Sequence, residues 1–204
     1  NDEVFENDEV KTPTIEIPLP ANADAEIKLL ALITPDAVIG HSAGELAAFY
    51  ASGALSLEDC VKFAYYRGIN QQKTSGLGNM LVINKSYKDL IDVMGESELL
   101  SKLEIACIND DNTIVLAGAT PLIKEMNKYL DEKQIFNRII RGSCPFHSSF
   151  QDIIKDDILS HTKDIKFRQP KITLISTVLG KEININSYTP DYWWKNIREK
   201  VLFF

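Results

Sequence analysis

The chain has 204 residues, 45% of them hydrophobic and 25% charged, with a formal net charge of −7. That is the composition of a globular domain, alone or with a small inserted subdomain, and no apolar run is long enough to span a bilayer. Eight acids against Lys11 in residues 1–26 account for the whole imbalance, so the rest of the chain sums to zero; with no basic face, nucleic-acid binding is not expected.

Residues 1–26 read as an acidic linker or tail. Asn-Asp-Glu-Val occurs at 1–4 and again at 7–10, and Pro13, Pro18 and Pro20 follow; such a segment has little apolar area to bury. It is not a basic stretch followed by an apolar one, so no secretory leader is expected. A short helix is expected over 23–33, stopped by Pro35, then a strand over 36–40. A helix follows to about Ser52, with Gly53 as its natural stop. Ser56 begins another helix with Asp59 at the capping-box position, and it ends before Gly76.

From 79 the pattern changes. Strands are predicted at Met80–Asn84, Leu103–Ile108, Asn112–Ala117 and Ile135–Arg141, with helices at Tyr87–Met94 and Pro121–Lys133. The order βαββαβ is that of a ferredoxin-like unit. A helix near 149–159, a strand at Ile172–Ser176 and an aromatic segment, Tyr192-Trp193-Trp194, complete the chain. The expected fold class is therefore α/β: a hydrolase-like parallel-sheet core from 27–78 and 142–204, interrupted by a ferredoxin-like α+β subdomain at 79–141. Cys60, Cys107 and Cys144 are odd in number and widely spaced. They fit reduced thiols and a cytoplasmic protein, and no Cys/His grouping has the spacing of a metal site.

The chemistry concentrates at Gly40-His41-Ser42-Ala43-Gly44-Glu45. Between a predicted strand and a predicted helix this is Gly-x-Ser-x-Gly, a serine on a strained elbow. Gly40 and Gly44 leave no side chain where strand and helix nearly touch. A serine needs a base at neutral pH. His41, adjacent on the bend, cannot easily reach round to the hydroxyl, and His161 lies in a polar stretch that reads as surface. His147 follows the last subdomain strand, in a loop returning to the core, and is the best candidate.

The octapeptide Gly40 to Ala47 resembles the nucleophile motif of malonyl-CoA:acyl-carrier-protein acyltransferases. Further similarities run in order: Gly53-Ala54-Leu55-Ser56-Leu57-Glu58-Asp59, Arg67-Gly68, Ile108-Asn109, Ile114 to Gly118, Phe146-His147-Ser148, and Tyr192 to Glu199. Their style is closest to acyltransferase domains of polyketide and fatty acid synthases. The resemblance implies a Ser42 nucleophile and a His147 base, the latter oriented by the main-chain carbonyl of Asn196. Arg67 would grip the free carboxylate of a malonyl group, since a planar guanidinium pairs bidentately with a carboxylate. His41 would line the acyl pocket, Phe146 would mark a malonyl-type loop, and Cys144 stands where that loop usually has histidine or tyrosine. The amide of Ala43 would donate to the oxyanion.

The family's glutamine segment, which supplies a second oxyanion donor, has no counterpart before Ser42, so a piece of such a domain with an incomplete core is expected. No tightly bound cofactor is implied. Malonyl-CoA would be the donor and the phosphopantetheine of an acyl carrier protein the acceptor, with neighbouring synthase domains as partners and no membrane. Two other readings share the elbow: a serine thioesterase, in which an acid usually supports the histidine, and a degenerate domain that serves as a scaffold.

Overall fold

In a computed structural model, which describes residues 35–95, 97–184 and 188–204, the chain builds two sheets. The expected 1–26 tail and the helix at 23–33 lie outside these residues. β1 (Ala37–Ile39) enters the elbow, a 3-10 turn at Ser42–Gly44, and α1 (Glu45–Ala51) leaves it. Gly53 follows α1 at φ 80°, a left-handed stop that suits a residue without a Cβ. α2 (Leu57–Gln71) starts as predicted: the Ser56 hydroxyl accepts from the Asp59 amide at 3.1 Å.

The second unit comprises β2 (Asn79–Ile83), α3 (Tyr87–Met94), α4 (Glu98–Ser101), β3 (Glu104–Asp110), β4 (Thr113–Gly118), α5 (Thr120–Glu132) and β5 (Asn137–Ile139). All neighbours among these four strands are antiparallel, in the order β5-β2-β4-β3. That order, from a βαββαβ chain, is the ferredoxin-like arrangement. Period-2 alternation divides its faces. Leu81, Ile83, Ile114 and Leu116 meet Leu90 of α3 and Ile123, Met126 and Leu130 of α5. Met80, Val115 and Ala117 point the other way, toward Ala106, Cys107 and Val201.

The chain then returns to the core through a 3-10 segment (Ser149–Ile154), α6 (Lys155–Thr162), β6 (Thr173–Ser176), β7 (Lys181–Glu182), α7 (Pro190–Arg198) and β8 (Val201–Leu202). β6 runs parallel to β1, Ala37 opposite Thr173, and β7 pairs antiparallel on its far side. The aromatic segment is a helix. α7 drives Trp193 between Phe49 and Phe63, with ring centroids 4.8 and 4.5 Å away, and all three rings are fully buried. Each such pair adds roughly 0.5–1.5 kcal/mol beyond area burial. Three residues further along α7, the same buried face carries Asn196. β8 was not foreseen. It joins the edge of the second sheet, parallel to β3, and binds both units: Leu202 N donates to Thr177 O at 2.7 Å, and Phe203 N donates to Ile108 O at 3.0 Å.

Two expectations need correcting. A Cβ on Gly40 would lie 2.2 Å from the Gly44 carbonyl oxygen, so that glycine is sterically required; a Cβ on Gly44 meets nothing within 4 Å. His161 is half-buried and stacks on Tyr66 at 3.9 Å instead of projecting from the surface.

Candidate active site

The elbow holds Ser42 at φ 53°, and the loop from β5 holds His147 at φ 56°. Both are left-handed conformations that non-glycine residues rarely adopt, and such strain gathers at functional sites. They bring Ser42 Oγ within 2.6 Å of His147 Nε2. His147 Nδ1 lies 2.9 Å from the Glu199 carbonyl oxygen. A carbonyl only accepts, so Nδ1 carries the proton, and Nε2 of the neutral ring presents its lone pair to the serine hydroxyl. The carbonyl that orients the histidine is thus that of Glu199, just past α7, and not that of Asn196 as the resemblance implied. His147 is buried, and its pKa is lowered to about 3, first by burial and then by the Arg67 guanidinium, against the opposing Glu199 hydrogen bond.

Arg67 arrives from α2, almost wholly buried. Its Nε donates to Gln71 Oε1 at 3.1 Å, Nη1 to Asn196 Oδ1 at 2.6 Å, and Nη2 to Ser42 Oγ at 3.0 Å. Of its five N–H groups, two are left over by these acceptors among the described residues. Burial lowers its pKa to about 10, partly offset by the charge of Glu45, so it stays cationic at neutral pH. Ser42 Oγ therefore accepts from a cation while donating to a neutral imidazole.

Asn196 is a fork. Besides accepting from Arg67, its Nδ2 donates to Glu45 Oε2 at 2.7 Å and to Ser42 O at 3.2 Å. Glu45, fully buried on the first turn of α1, accepts from Tyr192 Oη, Thr177 Oγ1 and the Thr177 amide. Burial raises its pKa, against the pull of those four bonds.

The other predicted residues fall as follows. Ala43, exposed, sits inside the 3-10 turn directly after Ser42, ahead of Gly44, whose amide is the first to donate within the turn, to His41 O at 2.8 Å. His41 is exposed; its Nε2 lies 2.8 Å from Asn109 Oδ1 on β3, and its ring packs 5.2 Å from Phe203. The bend keeps it off the Ser42 hydroxyl. Phe146 is half-buried against Met80, Ala106, Cys107 and Val115, so its ring serves the sheet face. With Cys144 it lines a cavity of about 120 Å³. A larger cavity, about 460 Å³, lies at the seam of the two units and is bordered by Leu103, His147, Arg198 and Lys200. Sequence reasoning missed Gln71, Thr177 and Tyr192, and gave Glu45 no task beyond membership of the motif.

A serine on a strand–helix elbow, paired with a histidine held by a carbonyl and with a buried arginine on its oxygen, is an arrangement suited to serine-based acyl chemistry. The chain belongs to the acyl transferase domain family, whose pattern it matches over residues 21–204. It is 40% identical over 172 residues to probable polyketide synthase 23 of Dictyostelium discoideum, covering 84% of this chain and 7% of that protein. It is 33% identical over 207 residues to probable polyketide synthase 28 of the same organism, covering 98% and 8%. The chain thus spans under a tenth of the curated relatives it matches. Among solved structures, a loading acyltransferase from the avermectin modular polyketide synthase superposes with TM-score 0.79 at 26% identity, covering 88% of this chain and 57% of that one. The acyltransferase domain of module 8 of the salinomycin polyketide synthase gives TM-score 0.77 at 28% identity, covering 88% and 42%. FabD from Acinetobacter baumannii shares the fold, with TM-score 0.75 at 22% identity, covering 87% and 59%. Among the described residues no helix is long and apolar enough to cross a membrane.

Proposed function

We propose that the chain transfers a malonyl-type acyl group from CoA to the phosphopantetheine thiol of an acyl carrier protein, within polyketide assembly. Ser42 Oγ attacks the thioester carbonyl and His147 Nε2 takes the hydroxyl proton. The carbon–sulfur bond breaks, and the imidazolium returns the proton to the departing CoA sulfur. The carrier's thiol then gives its proton to His147 and attacks the malonyl-Ser42 ester, and the proton passes back to Ser42 Oγ. The Ala43 amide donates to the oxyanion in both halves, a contribution worth ~10²–10³ in rate where such donors have been removed. His41 and Phe146 are assigned to the walls of the acyl path, and Asn196 to holding Ser42 and Arg67 together. Neighbouring synthase domains are the proposed partners, no resident cofactor is needed, and the free thiols of Cys60, Cys107 and Cys144 fit the cytoplasm. The proposed bounds of the ferredoxin-like subdomain are 79 and 141.

The observation that carries this reading is the Arg67 Nη2 donor 3.0 Å from the nucleophile. A buried guanidinium with spare N–H groups beside the reacting oxygen favours an acyl chain that bears its own carboxylate. Intact-protein mass spectrometry after mixing with malonyl-CoA or acetyl-CoA tests it. A malonyl adduct absent from Ser42→Ala is expected. Arg67→Ala should cut malonyl loading by at least about tenfold, the scale of one lost charge-assisted hydrogen bond, while sparing acetyl loading. Equal losses for both donors would remove the carboxylate role. Release of the acyl group to water at the same rate with and without carrier protein would favour a hydrolase.

A further inference from the structure

Glu45 takes no part in the proton transfers above, yet it is fully buried and its carboxylate is saturated. Oε1 accepts from the Thr177 amide and hydroxyl at 2.5 and 2.9 Å, and Oε2 accepts from Tyr192 Oη and Asn196 Nδ2 at 2.8 and 2.7 Å. The Asn196 amide is thereby oriented from both sides. Its NH₂ faces an anion and its oxygen faces the Arg67 cation at 2.6 Å; a flipped amide would set NH₂ against guanidinium and oxygen against carboxylate. A buried cation needs a counter-charge. Paired with Arg67 through both of its oxygens, a carboxylate would occupy the N–H groups that a substrate carboxylate needs. Placed one amide away, it balances the charge and leaves them open.

We infer that Glu45 is a positioning residue for acyl-group selection: acting through Asn196, it fixes the Arg67 guanidinium over Ser42 with two N–H groups free for the acyl carboxylate. This rests on the reading of Arg67 given above.

Glu45→Gln tests it. The Thr177 amide is main chain and cannot turn away, so the carbonyl of the introduced glutamine stays on it and the new NH₂ faces Asn196. Asn196 then flips, presents NH₂ to Arg67 and withdraws its bond from the Ser42 carbonyl. The malonyl-to-acetyl loading ratio, read by intact mass at early times on the full chain, should fall about ten- to a hundredfold. In Glu45→Gln/Asn196→Asp the carboxylate moves to position 196, where one oxygen accepts from the introduced side-chain amide and the other from Arg67 Nη1 alone, as Asn196 Oδ1 does now, so the two free N–H groups stay open and the ratio should recover to within about threefold of the parent. Should the single variant not fold, the double variant alone carries the test: a parental ratio supports the relay and an acetyl-like ratio overturns it. A parental ratio in Glu45→Gln, equal loss of both donors, or no recovery in the double variant also overturns it. Arg67→Ala run alongside separates the two claims. If Arg67→Ala leaves the ratio unchanged, the carboxylate reading fails; if it lowers the ratio and Glu45→Gln does not, only the role of Glu45 fails.

Discussion

His147 can accept a proton only while its ring is neutral, and its surroundings hold it so far below neutrality. With a folded pKa of about 3 against ~6.5 in the unfolded chain, the unfolded state binds a proton between those values that the folded state refuses. Stability therefore falls as pH drops through that window, with a slope approaching about 1.4 kcal/mol per pH unit from this group. Urea titrations at pH 7, 6 and 5 should show a falling midpoint, more steeply than in His147→Gln. Malonyl loading by the protein that stays folded should be level from pH 8 down to 5; a loading midpoint near pH 6.5 would contradict the buried neutral base. Ser42 was legible in its Gly-x-Ser-x-Gly turn and His147 in its place on a loop returning to the core, whereas Arg67 was marked only by the family resemblance. The Glu199 carbonyl was not legible, because a main-chain oxygen leaves no trace in residue identity. Asn196 was picked out as a position and misread as a group: its side chain, not its backbone, reaches the dyad and Arg67.

The elbow shows how an element can be read rightly while its parts differ. Both glycines of the motif look equivalent in sequence. The structure gives Gly40 a backbone oxygen 2.2 Å from its virtual Cβ and gives Gly44 open space with an ordinary helical φ of −63°. Gly40→Ala should lower stability by roughly 1–3 kcal/mol or more, and Gly44→Ala should be close to neutral, as read by denaturant midpoints. Similar losses would mean that the strand and helix are not in that contact. Elements with a clear period were found nearly to the residue, α3 at Tyr87–Met94 among them. α7 was seen only as an aromatic segment, although Asp191, Lys195 and Arg198 form a polar stripe at i, i+4 and i+7 beside the buried Tyr192, Trp193, Trp194, Asn196 and Ile197. Over nine residues that stripe is three positions long, too short to stand out beside the aromatic run.

The molecule is joined at a seam that no local pattern announces. β8 is two residues long and lies over ninety positions from β3 in sequence, so neither its length nor its neighbours mark it. Its Val201 side chain is buried on the second sheet, and the amides of Leu202 and Phe203 bind opposite units. Glu199, which orients His147, lies two residues before. Val201→Asp would bury an unpaired carboxylate, at a cost of several kcal/mol unless it is neutralised. Calorimetry should then show the two units melting apart, with serine loading lost before either sheet has unfolded. A single transition with loading intact would mean that the seam does not hold the dyad. The four strands of the ferredoxin-like unit were predictable because their order is local; the fifth depends on a fold already formed.

The two left-handed residues set chemistry and folding against each other. At φ 53° and 56°, Ser42 and His147 each cost roughly 1–3 kcal/mol that a glycine would not. A library of this chain selected only for expression or heat resistance would therefore drift toward glycine at 42 and 147, and lose its reaction before any other property.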